Sequence, residues 1–185
     1  MTIMIGWLGT LALATFGVSF QILGLAFMVA FGLAAATQVR VGNAWGREDP
    51  KGMAMAGWTG LGLAASFCLL VGLLAVLTPG TVLSIYTNDP ALIAAASGVL
   101  FWVGLALTFD GSQTVMNHAC RGRGDTVVPT ALHFCSYWLI MVPLAYLIAI
   151  RGEGGVTGVF QSIFIASVFS FAVLALRFRA LARQV

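Results

Sequence analysis

Apolar residues fall into five long blocks along the chain, each closed by a short polar or turn-forming group. A bilayer core about 30 Å thick takes roughly 20 helical residues, so blocks of this length read as membrane spans. The pattern predicts spans at 9–38, 53–77, 92–120, 130–150 and 156–176. An apolar stretch at 2–8 precedes the first block, and 2–38 is too long for one straight crossing. A break near Gly6 or Gly9 is therefore expected, with residues 2–8 closing a preceding element. The connections are Arg47-Glu48-Asp49-Pro50, Thr78-Pro79-Gly80, Asn88-Asp89-Pro90, Gly124-Asp125-Thr126 and Gly152-Glu153-Gly154-Gly155.

Composition sharpens this picture. Hydrophobic residues make up 60 % of the chain and charged residues 8 %, against about 25 % charged in soluble domains. Mean hydropathy is +1.00. The fold class expected is all-α, a polytopic membrane helix bundle of about five transmembrane helices, with no room for a separate soluble domain in 185 residues. The formal charge of +3 is spread over loops and helix ends, which argues against a nucleic-acid partner. Cys68, Cys120 and Cys135 lack paired spacing, so neither a disulfide framework nor a zinc site is indicated. Residues 1–9 show no basic n-region and no small-residue cleavage site, so a signal peptide is not expected there.

The basic residues alternate between connections. Arg40, Arg47 and Lys51 flank the first, Arg121 and Arg123 the third, and Arg177, Arg179 and Arg183 the tail. The second has none, and the fourth has only Arg151, offset by Glu153. By the positive-inside rule the first and third connections and the C-terminus are cytoplasmic. The N-terminus then lies outside, and at least one further helix upstream is the expectation. Small-xxx-small spacings at Gly42/Gly46, Gly62/Ser66 and Gly154/Gly158 are assigned to helix packing.

One charge interrupts the third block. Asp110 is the only formal charge between Ala91 and Cys120. A carboxylate in hydrocarbon is expensive, and such residues face a bundle interior or a watery cavity and mark ion or proton paths. At 100° per residue, Gln113, Thr114, Asn117 and Arg121 share an arc of about 100° with Asp110. Asp110 precedes Arg121 by eleven residues, or about 16 Å of helix, which places it near the midplane. Asp110 is thus the candidate cation or proton carrier, and Gln113, Thr114, Asn117 and Tyr137 are candidates to line its cavity. A hydrogen-bonded acid joining two helices is the structural alternative. His118 and His133 are read as interfacial packing, although either could relay protons. Pro143 predicts a kink or a local accommodation in the fourth span. Trp102 and Trp138 read as bundle or belt aromatics.

Several segments together carry a resemblance. Residues 31–36, Phe-Gly-Leu-Ala-Ala-Ala, are followed by Arg40-Val41-Gly42-Asn43-Ala44-Trp45-Gly46. Ile85-Tyr86-Thr87-Asn88-Asp89 comes next, then Asp110 with Gln113. Arg121-Gly122-Arg123-Gly124-Asp125-Thr126 with Pro129, and Tyr137-Trp138 with Pro143 and Tyr146, complete the set. In this order they resemble the second half of the MATE family of multidrug efflux transporters. The resemblance implies a two-lobe, twelve-helix protein, with residues 1–185 forming a partial C-terminal lobe: the end of the seventh helix, then the eighth to twelfth. It implies a secondary antiporter of a cell's inner (plasma) membrane that exports small organic, often cationic, compounds in exchange for H⁺ or Na⁺. No cofactor beyond the coupling ion is implied, and the N-terminal lobe is the implied partner. Asp110 would match the acid of the tenth helix that takes part in cation binding in the Na⁺-type branch. A transient Na⁺ at Asp110 is accordingly the one metal expected. The chain departs from the family at Ala106, where a tyrosine is frequent, and at His118, where glycine is usual.

Other readings are a lipid-linked-oligosaccharide flippase of the same superfamily and a non-transporting half-gene remnant. Gly122-Arg123-Gly124-Asp125 also matches the GxGD pattern of an intramembrane aspartyl protease, a chemistry that needs two adjacent buried carboxylates. The spans contain no second midspan acid, and no nucleotide loop or nucleophile triad appears. An enzyme is not expected.

Overall fold

Long apolar segments with few internal breakers can satisfy their backbone polar groups only by becoming helices. The computed structural model, which describes residues 1–183, is helical throughout its long segments and contains no strand among them. In order these are α1 (Thr2–Gly6), α2 (Thr10–Gly46), α3 (Pro50–Leu77), α4 (Pro79–Ser84), α5 (Pro90–Ser97), α6 (Leu100–Gly122), α7 (Val127–Arg151) and α8 (Gly155–Leu181). Four helices are each long and apolar enough to cross a membrane, and the bent pair α5–α6 makes a fifth. The chain is a multi-pass membrane protein. Its exterior agrees, since Leu25, Met28, Leu69, Leu73, Phe134 and Leu139 all point outward. In water such a surface would aggregate; in lipid it is the ordinary one.

The helices start and stop for local reasons. The break expected near Gly6 or Gly9 lies between α1 and α2, where Gly9 takes φ 104°, a left-handed conformation that glycine enters without strain. Asp49 accepts a hydrogen bond from Gly52 N–H at 2.8 Å and so caps α3, with Pro50 in the first turn. Two expectations need correction. The third block is not one helix, because α5 and α6 meet at 53°. Gly98 and Val99 form the break, where Val99 N–H bonds back to Ala96 at 3.0 Å in a tightened turn. The second connection is not simple loop either, since Pro79 starts the short helix α4. α2 and α8 also run beyond the predicted ends, to Gly46 and Leu181. No glycine–proline stop occurs at the predicted limits, so polar residues leave the membrane while still helical.

Pro143 does not break α7. The helix widens into π-type turns at Ser136–Met141 and Tyr146–Arg151, with one α-turn, Val142–Ala145, between them. Wider winding is one way to house the missing N–H and the steric bulk of proline.

α6 is the hub and packs against α2, α3 and α8. Every residue from Asp110 to Asn117 is buried, so this stretch is enclosed on all sides rather than along one stripe. Close approach is set by glycines. A Cβ on Gly72 would lie 2.8 Å from the Gly104 Cα, and one on Gly104 would lie 3.1 Å from the Gly72 Cα. The α3–α6 crossing therefore rests on backbone-to-backbone contact. Among the small-residue pairs, Gly42 and Gly158 do face neighbours at packing distance, whereas Gly46 and Gly62 face open space. The spacing alone overcounted the contacts.

This contact yields a direct expectation. Gly104→Val should lower the stability of the detergent-solubilised protein by about 1–3 kcal/mol, as overpacking does, while Gly62→Ala should leave it unchanged. Thermal unfolding followed by circular dichroism distinguishes the two.

Candidate functional site

Asp110 lies midway along α6, buried to 9 % exposure. Three neutral donors converge on one of its oxygens. Gln113 Nε2, one turn further on, donates to Oδ1 at 2.6 Å. The Tyr137 hydroxyl, from α7, donates to the same Oδ1. Ser167 Oγ, from α8, donates at 3.3 Å. Gln113 Nε2 also donates to the Tyr137 hydroxyl oxygen at 2.8 Å, closing a triangle of amide, phenol and carboxylate. Among the described residues no cationic side chain pairs with Asp110, and the single ion pair lies elsewhere. The Gln113 Oε1 is buried without a partner, an oxygen left over beside the carboxylate.

Thr114 and Asn117 do different work. Thr114 Oγ1 donates to the Asp110 main-chain carbonyl at 2.8 Å, and Asn117 Nδ2 donates to the Pro129 carbonyl at 3.2 Å. Both line a cavity of about 300 Å³ between α2, α6 and α7, together with Phe31, His118, Arg121 and His133. His118 Nδ1 lies 2.9 Å from the Thr114 carbonyl, and its ring meets Phe31 edge-on. The His133 ring lies against Tyr137 at 4.6 Å between centroids. The polar stripe on α6 thus divides between a ligated acid and a cavity wall. Trp138 is 62 % exposed and stacks on Phe134, and Trp102 packs against Phe164; neither meets Asp110.

Ser167 escaped the sequence reading. A signal was present: Ser162, Ser167 and Ser170 fall within about 140° of arc in the apolar middle of the helix, and all three are fully buried. Ala106, where the resemblance expects a phenol, is fully buried and apolar. The phenol near the acid comes from Tyr137 instead.

The MatE family model matches residues 1–147. The chain belongs to the MatE family. A "Probable multidrug resistance protein NorM" of Caulobacter vibrioides is 39 % identical over 181 residues, which is 98 % of this chain and 38 % of that protein. One of Brucella suis is 38 % identical over 160 residues, covering 83 % of this chain and 34 % of the relative. The chain therefore spans well under half the length of these relatives. In fold it is similar to the eukaryotic MATE transporter AtDTX14, with a TM-score of 0.85 at 20 % identity, over 94 % of this chain and 40 % of the other.

In this MatE chain the Arg-Gly-x-Gly-Asp corner acquires physical roles. A Cβ on Gly122 would lie 2.5 Å from the Gln38 carbonyl oxygen, so glycine admits α2 at the end of α6. Gly124, at φ 90°, ends the helix in a left-handed turn, while Asp125 N–H bonds back to Cys120 at 3.2 Å. Asp125 accepts from Arg177 Nε of α8 at 2.9 Å, and the Arg123 guanidinium sits 4.5 Å over the Trp45 ring. Asp125 is thus a tie between helices at the bundle end. About 18 Å of helix separates Asp110 from Gly122, so the two acids do not form a protease dyad.

The triangle around Asp110 should be cooperative. A double-mutant cycle of Tyr137→Phe and Gln113→Leu, read by unfolding in mixed micelles, should give a coupling of about 0.5–3 kcal/mol. By contrast, Arg177→Gln breaks a pair that is 42 % exposed on the Arg side and should cost at most about 1 kcal/mol.

Proposed function

We propose that this chain is the C-terminal lobe of a cation-coupled multidrug exporter, in which inward movement of H⁺ or Na⁺ drives export of bulky, often cationic organic compounds. The observation that carries this reading is the convergence of Gln113, Tyr137 and Ser167 on Asp110 Oδ1 without any cationic partner. A structural acid in a membrane bundle is normally paired; this carboxylate is held in place by neutral groups that stabilise its charge without cancelling it. The relatives' name, multidrug resistance protein NorM, supports the substrate class.

In this mechanism Asp110 alternates between cation-bound and free states. Tyr137, Ser167 and the unpartnered Gln113 Oε1 supply oxygens beside it, the type of donor that a hard cation takes. Cation binding changes what the carboxylate asks of its donors. Those donors come from α6, α7 and α8, so the change biases the packing of three helices at once. Thr114 and Asn117 line the neighbouring cavity, the substrate-side wall. A facing N-terminal lobe supplies the opposite wall, consistent with a chain covering 38 % of its Caulobacter relative. The lobe sits in the inner (plasma) membrane with its C-terminus in the cytoplasm, an orientation supported by eight of nine basic residues lying on one side.

Asp110→Asn in the full-length transporter tests the reading. Cation-driven efflux of a fluorescent cationic dye from vesicles should fall to background, while membrane insertion stays at the parental level. Imposing either a pH gradient or a Na⁺ gradient in the same vesicles identifies the coupling ion. Undiminished efflux by Asp110→Asn would make the acid purely structural.

A further inference from the structure

α2 and α3 form a helical hairpin joined only through Arg47, Glu48 and Asp49. Between them runs a groove of about 330 Å³ lined by these two helices and their turn alone, apart from the Asp110 site. Its floor is Thr37 against Gly60, where a Cβ on Gly60 would overlap the threonine side chain at 2.0 Å. Its walls include Leu33, Ala36, Ala56 and Leu63, and Ala36 and Leu63 are exposed to the surroundings. At the turn end it meets Arg40 and Arg47. Arg40 lies in the last two turns of α2 and Arg47 in the connection that directly follows it, so both guanidiniums border the same end of the groove.

Both arginines are exposed, and among the described residues neither forms an ion pair. The one acid in the lining is Asp49, whose carboxylate is engaged in capping Gly52 N–H. The groove therefore joins an apolar channel, open sideways along two spanning helices, to a pair of guanidiniums at the membrane boundary. A free anion would use only the second part, and a neutral hydrocarbon only the first. Basic pockets between spanning helices on the cytoplasmic side suit anionic lipid headgroups, and guanidinium matches phosphate in geometry as well as charge.

We infer that this groove is a binding site for an anionic phospholipid, with its phosphate held by Arg40 and Arg47 and an acyl chain lying along Leu33, Ala36, Ala56 and Leu63. The inference goes beyond the transport reading; it requires that α2 and α3 span the bilayer and that this face of the hairpin meets lipid rather than the N-terminal lobe.

The test titrates the full-length chain in detergent with phosphatidylglycerol or phosphatidylcholine and counts retained lipid by native mass spectrometry. Phosphatidylglycerol should be retained with about tenfold preference or more. Each guanidinium removed should weaken it roughly fivefold, so Arg40→Gln/Arg47→Gln should lose about 25-fold while phosphatidylcholine is unaffected. Arg179→Gln, at the end of α8, should change retention by less than about twofold. Ala36→Phe fills the channel without altering charge and should also release the lipid; it decides the matter should the double variant unfold. Equal retention of both lipids, equal loss in Arg179→Gln, or undiminished binding by Ala36→Phe would overturn the inference. So would displacement by inorganic phosphate as effective as by phosphatidylglycerol, which would leave a bare phosphate site.

Discussion

Burying a carboxylate in an apolar bundle costs several kcal/mol unless protein donors replace the lost water. In this chain that requirement falls on Asp110, and nothing cationic among the described residues meets it. It is met by an amide from the same helix, a phenol from α7 and a hydroxyl from α8. The arrangement ties three helices to one oxygen atom. It also leaves the group dependent on neutral dipoles, whose support changes whenever the carboxyl changes its charge. A residue that holds helices together and a residue that responds to a cation are, at this position, the same residue.

The surrounding bundle makes such a dependence mechanically consequential. α6 is clasped by α2, α3 and α8, with the Gly72–Gly104 contact bringing backbones together. α7 is the least embedded of the long helices and packs chiefly on α8. It is also the helix whose winding is relaxed around Pro143. The Tyr137 hydroxyl bonds Asp110 from within the first of these wide-turn segments. The least embedded long helix is therefore attached to the central one through the acid.

At the bundle end, the corner after α6 serves as an anchor. Gly122 admits α2, Gly124 turns the chain, Arg123 rests on Trp45 of α2, and Asp125 reaches Arg177 of α8. Five consecutive residues, 121–125, thus include contacts to two other helices besides α7. This leaves the midspan acid, rather than the corner acid, as the only carboxylate enclosed in the bundle among the described residues.

Much of this was legible in the sequence because it depends on solvent preference and local backbone chemistry. Block length and hydropathy set the number of spans, a lone acid in a long apolar run marked Asp110, and the 3.6-residue period grouped Gln113, Thr114 and Asn117 with it. The break near Gly6 or Gly9 and the connection at Arg47-Glu48-Asp49-Pro50 were marked by their own turn-forming residues. Other features depend on which faces meet, and no local pattern carries that. The 53° bend at Gly98–Val99, the open space at Gly62 and the contact at Gly72 all follow from packing. So does the split of the polar stripe, which sends Gln113 to the acid and Asn117 to the cavity wall. Ser167 lies 57 positions from Asp110 in the chain. Only the docking of α8 on α6 brings its hydroxyl to the carboxylate, because a hydrogen bond needs proximity in space and the sequence specifies proximity only along a helix.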